Sequence, residues 1–206
     1  MKEITNVIKT LFHLQTQIHL LVETLNEIGN NYKTLREIKF DNFFDQRITL
    51  EDATHTLISN YAIIMFCSFV DEYEKYFTPQ FLKDVDSKRI LSVRSRNQPG
   101  LKRIRKWKDL HKFRNFLVAH NFRNKGKSFF SEEFEKFTFV IPNKVSEKNL
   151  FSGIVHLICL NLKSEFPEVV NSLQEGELML DKIEFICEDV DNEQELTELM
   201  ERMQII

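Results

Sequence analysis

The sequence predicts an all-α protein, and three observations carry that expectation. Only 5 Gly and 4 Pro punctuate 206 residues, so turns are few and the regular elements are long. Apolar residues recur at helical spacing over stretches much longer than an ordinary strand. The short strands of a sandwich or barrel would need Gly and Pro punctuation that this chain lacks. A hydrophobic content of 42%, with 19 Phe, is enough for a strongly aromatic core in one domain spanning 1–206.

Residues 3–29 place Ile4, Val7, Ile8, Leu11, Leu14, Ile18, Leu21, Val22, Leu25 and Ile28 along one helical stripe. Gly29, in "GNN", suits the left-handed conformation that closes a helix. A linker with aromatics follows at 38–47. Thr49 then opens a second helix, because "TLED" has the spacing of a capping box with Asp in place of the usual Glu. That helix should run to about Phe77 and stop before Pro79. Its middle is apolar on most sides, which marks it as the central buried helix.

"TPQFLKDVD" (78–86) reads as a short helix with Pro79 in its first turn. The basic stretch 87–98 reads as a loop or mobile segment. Pro99 opens the next predicted helix, at about 99–122, with Leu101, Ile104, Leu110, Phe113 and Leu117 facing inward. "RNKGKS" (123–128) reads as a basic turn. Residues 129–141 are compatible with a helical turn or an extended edge, ended by Pro142. Helices at about 147–164, 174–189 and 192–203 complete the chain, the last introduced by the cap signature "NEQE".

A net charge of −3 conceals a strong segregation. Residues 88–127 hold fourteen Lys or Arg and one acidic residue, Asp109. From Glu165 onward, thirteen acidic residues face only Lys182 and Arg202. A basic segment in an otherwise acidic protein is a candidate phosphate-binding surface. Its bland alternative is a solvated helix face paired with the acidic C-terminal helices of the same chain.

The longest apolar run, "YAIIMFCSFV" (61–70), is far short of a membrane span, and no signal segment is evident at the N-terminus. Cys67, Cys159 and Cys187 form no CxxC pair and lie in apolar surroundings, as buried thiols of a reducing compartment do. The expectation is a soluble cytoplasmic protein without membrane contact. Phosphate-binding glycine motifs, zinc-protease helices and serine-nucleophile elbows are absent. His156 and Cys159 have i, i+3 spacing, but two ligands do not make a structural zinc site. No metal or cofactor is called for. His13, His19 and His55 are most simply polar positions on their helices.

"FRNFLVAHNFR" (113–123) is the most suggestive segment. Arg114 and Asn115 stand before an apolar run and His120 after it. Spacing alone decides little, because Arg105 and His111 repeat the same gap within a solvated basic stretch. On one helix, six positions put Arg114 and His120 about 120° apart and about 9 Å along the axis. A site using both is easier to build at a junction with another helix or a second copy. Asp71, leaving the buried run of the second helix, is suited to anchor an arginine from a neighbouring helix. The plain alternative is that Asp71, Glu72 and Glu74 mark that helix's solvated end.

"RNFLVAH" resembles the signature of the HEPN superfamily (higher-eukaryote-and-prokaryote nucleotide-binding domains): an arginine, four to six residues, and a histidine, often with a polar residue after the arginine. The resemblance covers about residues 50–125, leaving an extra N-terminal helix and acidic C-terminal helices outside it. His120 is followed by "NF", unlike the His-x-Tyr of the toxin members.

The resemblance implies an HEPN-like helical bundle and metal-independent RNA cleavage by a homodimer that joins two such motifs. It implies His120 as general acid or base, Arg114 as clamp on the scissile phosphate, Asn115 as its polar helper and Asp71 as the acidic residue of the earlier helix, with Glu72 next. Lys102, Arg103, Arg105, Lys106, Lys108, Lys112, Arg123, Lys125 and Lys127 would then track the RNA backbone, and Trp107 would stack a base. Phage defence, a toxin–antitoxin role and an antitoxin or regulatory partner are settings the resemblance suggests. The alternative is a non-catalytic helical module that binds nucleic acid or protein.

Overall fold

The computed structural model describes residues 2–30, 49–116, 138–173 and the backbone of 123–124 and 127–128. The chain divides into two compact units, Met1–Leu173 and Gln174–Ile206. The second lies outside the described residues, as do the linker at 38–47, both predicted C-terminal helices and Cys187.

The first unit is all-α. Helix α1, Lys2–Asn30, buries Ile4, Val7, Ile8, Leu11, Ile18, Val22 and Leu25, the stripe expected from spacing. Gly29 does not leave the helix; α1 runs one residue beyond it. Helix α2, Leu50–Lys75, begins at Thr49, whose hydroxyl oxygen accepts the Asp52 N–H at 3.0 Å. The Asp52 carboxylate in turn accepts the Thr49 hydroxyl at 2.8 Å, a local version of the expected cap.

Burial of α2 is confined to its second half: Ala62, Ile63, Phe66, Cys67, Phe69, Val70 and Tyr73 are in the core. Leu50, Leu57 and Tyr61 are exposed. Among the described helices, α2 is long and apolar enough to cross a membrane by length and composition, and 33% of its most apolar 18-residue window is buried in the bundle.

Residues 78–86 are a chain of turns rather than a helix. The Leu82 N–H bonds the Thr78 carbonyl, and the Val85 N–H bonds that of Leu82. The expected loop at 87–98 is helical instead. Helix α3, Ser87–Ile104, starts at Asp86, whose carboxylate accepts the Lys88 N–H at 2.9 Å. It buries Ile90, Val93, Asn97, Leu101 and Ile104, a stripe that outweighs its basic outer face. Pro99 sits inside this helix and does not open it. Pro99 and Ser95 are both exposed, so the carbonyl that loses its donor faces water.

The helix predicted at 99–122 is therefore interrupted. After α3 come turns at 105–109, then α4, Leu110–Arg114. The break buries Trp107, which packs against Phe151 at 5.7 Å between ring centroids. Asp109 also turns to residue Val140: its N–H bonds the Val140 carbonyl at 3.2 Å, and its carboxylate accepts the Val140 N–H at 2.9 Å. Residues 117–122, with Leu117, lie outside the described residues. The "RNKGKS" segment carries a two-residue antiparallel ladder, β1 (Arg123–Asn124) with β2 (Lys127–Ser128), pairing Arg123 with Ser128 and Asn124 with Lys127.

Helix α5, Val145–Glu165, matches its predicted span, and a short α6, Pro167–Val170, follows. Glu147 caps α5 by accepting the N–H groups of Asn143 and Lys144 at 3.1 and 3.0 Å. Helix α1 packs against α2, α5 and α6, α3 against α5, and α4 against α2. Phe66 of α2 stacks on Phe151 of α5 at 3.9 Å, and Phe77 meets Phe166 edge-on. Among the described residues, a buried polar network ties three helices: Asn97 donates to the Tyr73 hydroxyl at 2.9 Å and accepts from Asn161 at 2.7 Å.

Candidate functional site

The apolar run 61–70 carries α2 through the core and ends at Asp71, so that carboxylate emerges where α2 reaches the bundle's edge. The short helix α4 lies against α2 here. On α4, His111 and Arg114 are three positions apart and therefore share a face. Both reach Asp71. Arg114 donates from Nη1 to Oδ2 at 3.1 Å, and His111 Nε2 stands 3.3 Å from Oδ1. Lys75, one turn along α2, reaches the same Oδ1 at 3.2 Å. Arg114 also donates from Nε to Asn115 Oδ1 at 3.2 Å.

The cluster is a ledge rather than a buried site. Asp71 and Arg114 side chains are each 28% exposed, and that of His111 is 43% exposed. Partial burial pushes the Asp71 carboxyl up, but hydrogen bonds from Lys75 and Arg114 and the charge of His111 outweigh it, so Asp71 lies below its ordinary value and stays ionised. Cys67, one turn back, is a buried thiol pushed up to about 12 by burial, which the Arg114 charge only partly offsets. It is no nucleophile in this state.

Asp71 and Glu72 part company here. Glu72 faces a groove against α1, lined by Glu3, Asn6, Val7, Thr10, Tyr76 and Phe81, and burial pushes its carboxyl up. Asp71 is the acidic residue that meets Arg114. The structure thus brings together three of the four predicted site residues, Asp71, Arg114 and Asn115. The fourth, His120, lies outside the described residues.

The predicted RNA-binding residues divide. Lys102, Lys106 and Lys108 are exposed, with no described carboxylate at ion-pair distance. Arg103 is laid over the Trp107 ring at 4.1 Å. Arg105 pairs with Glu74 at 2.8 Å. The Lys112 ammonium sits 5.5 Å from the centre of the Phe139 ring. Arg123 and Lys127 belong to the β-ladder, and Lys125 lies outside the described residues. Trp107, at 4% exposure, is a core residue and has no face for a base.

Much of the remaining basic charge is used internally. Arg89 pairs with Glu165 and Glu168, and Arg96 with Glu165. Arg94 donates to the Tyr73 and Phe77 carbonyls at the end of α2. These partners lie on α2, α5 and α6, so part of the segment's charge is structural.

Sequence reasoning missed His111, set aside for lying in a solvated basic stretch. The available signal was its i, i+3 spacing to Arg114, which puts both on one helix face. His156 and Cys159 do not share a face: His156 is exposed and Cys159 is buried, and its thiol, like that of Cys67, is free. Among the described residues no three His, Cys, Asp or Glu converge as metal ligands. The chain matches no family model, no curated protein and no solved structure.

Proposed function

We propose that this chain is an endoribonuclease of the HEPN type, which uses the 2′-hydroxyl of RNA as nucleophile and needs no metal ion to do so. The observation that carries the reading is the Arg114 guanidinium, held at Asp71 and Asn115 on a half-exposed ledge. A guanidinium fixed through one edge is pre-organised to grip a phosphate with the remainder of its fork. Exposed Lys102, Lys106 and Lys108 provide a salt-sensitive grip on the RNA backbone. His120 supplies proton transfer near neutral pH, and a second copy of the chain would bring a second Arg114–His120 pair.

The test is incubation with mixed RNA in EDTA beside His120→Ala, with end-group analysis of the products. Cleavage to 2′,3′-cyclic phosphate ends that the variant cannot perform supports the reading. Failure of the wild type to cleave any RNA refutes it. The internal pairing of Arg89, Arg96 and Arg105 favours a second reading, a non-catalytic binding module in which these arginines are architectural and the exposed Lys102, Lys106 and Lys108 meet nucleic acid. In that case Lys106→Glu weakens RNA binding while His120→Ala changes nothing.

A further inference from the structure

The groove between the start of α1 and the end of α2 takes no part in the ledge at Asp71. It encloses about 310 Å³, at the small end of the range for ligand pockets. Its apolar lining is buried Val7 with Tyr76 and Phe81, whose rings pair edge-on at 5.0 Å and stay 40% and 41% exposed.

The polar lining is built to accept hydrogen bonds. Glu72 is half-buried, and its carboxylate has no hydrogen-bond or ion-pair partner among the described residues. Burial pushes that carboxyl up, with no cation beside it to offset the cost. Thr10 donates its hydroxyl to the Asn6 carbonyl at 2.9 Å, so its oxygen is left to accept from whatever enters the groove. Exposed Glu3 adds a second carboxylate, and no Lys or Arg is among the described residues that line the groove.

Such a lining repels phosphates and selects a cation. A divalent metal ion would want about six oxygen ligands and gains nothing from aromatic rings. An alkyl ammonium uses every part of the groove. Its N–H groups meet carboxylate and hydroxyl oxygens, its methylenes cover Val7, and its charge is drawn to the faces of the rings. The second carboxylate suits a ligand with two ammonium groups better than a single lysine side chain.

We propose that this groove binds a small aliphatic diamine or polyamine, with one ammonium held by Glu72 and the next by Glu3. The site is independent of the ribonuclease reading, because it shares no residue with the Arg114 ledge.

The experiment is equilibrium dialysis of the full chain against labelled putrescine at low salt, with butylamine, butanol and Mg²⁺ as competitors. Putrescine should bind at millimolar concentration or below. Butylamine should compete about threefold less well, and butanol not at all. Glu72→Gln should weaken putrescine binding by about tenfold or more, and Phe81→Leu by about two- to fivefold. Glu3→Gln should erase the preference for putrescine over butylamine. Glu23→Gln, the same charge change at an exposed position of α1 outside the groove, should alter nothing. Circular dichroism checks that each variant is folded, and the conservative Phe81→Leu probes the groove independently of Glu72.

No binding of putrescine at millimolar concentration overturns the proposal. Binding that survives both Glu72→Gln and Phe81→Leu, or that falls equally in Glu23→Gln, is general attraction to an acidic protein and overturns it too. Displacement by butanol would mean a merely apolar groove. Displacement by Mg²⁺ at constant ionic strength would mean a metal site. Either result overturns the assignment, and butylamine binding as tightly as putrescine overturns the diamine class.

Discussion

Replacing Asp71 by Asn tests whether the charge of this residue, rather than its shape, joins α4 to α2. The three partners are not equal. Lys75 is 62% exposed and one turn away on the same helix, so its contact is worth a few tenths of a kcal/mol. His111 is 43% exposed and contributes little more. The Arg114 bond is the strongest, with both side chains 28% exposed at 3.1 Å, and a hydrogen bond to a charged group contributes about 1.5–3 kcal/mol. The asparagine keeps one acceptor for Arg114, so the expected loss near neutral pH is about 2 kcal/mol.

The pH dependence separates charge from packing. The Asp71 carboxyl is held below its ordinary value in the folded chain. Its contribution is therefore present above the unfolded-state value and disappears as pH falls through the lower folded value. Urea unfolding of wild type and Asp71→Asn, followed by fluorescence of the single, core-buried Trp107, reports on the first unit. The gap between the two proteins should be about 2 kcal/mol near pH 7 and should close as pH falls through the lowered folded-state value of Asp71. A gap of the same size at both ends would refute the charge argument. No gap at neutral pH would refute the anchoring of Arg114 itself.

Other expectations concern the scaffold. Asn97→Ala leaves the wholly buried Tyr73 hydroxyl without its donor and Asn161 without its acceptor, and should cost about 2–4 kcal/mol in urea unfolding. Adding Tyr73→Phe should recover about 1 kcal/mol of that loss, a coupling read from the double-mutant cycle. Gly153→Ala meets nothing within 4 Å and should raise stability by about 0.5–1 kcal/mol, the helix preference for Ala over Gly. Gly100→Ala should do the opposite, by about 1 kcal/mol in thermal unfolding, because its methyl would stand 2.8 Å from Ile154 Cγ2 on a stiff, buried side chain.

What was legible in the sequence was what short-range physics controls. The stripe of α1, the Thr49 cap and the span of α5 are each set by residues within a turn or two of one another. Burial periodicity and capping act at that range. Asp71 was legible for a similar reason, as the first charge after an apolar run whose helical phase places it at the core's edge. The errors came where charge was allowed to outvote periodicity. The stripe Ile90, Val93, Asn97, Leu101 and Ile104 was already present, but the basic outer face of α3 reads like a loop until α5 is there to cover the inner one.

Tertiary structure alone decided the rest. The helix break at 105–109 exists because Trp107 finds the Phe151 ring and Asp109 finds the backbone of Val140, both distant in sequence. The chain carries two Arg–His pairs with identical spacing, and spacing alone does not say which of these residues meet in the fold. Folding joins half of each: Arg105 goes to Glu74, while His111 and Arg114 meet at Asp71, forty residues back along the chain. Periodicity can say which residues share a helix face, but only packing of α4 on α2 selects the carboxylate that face will meet.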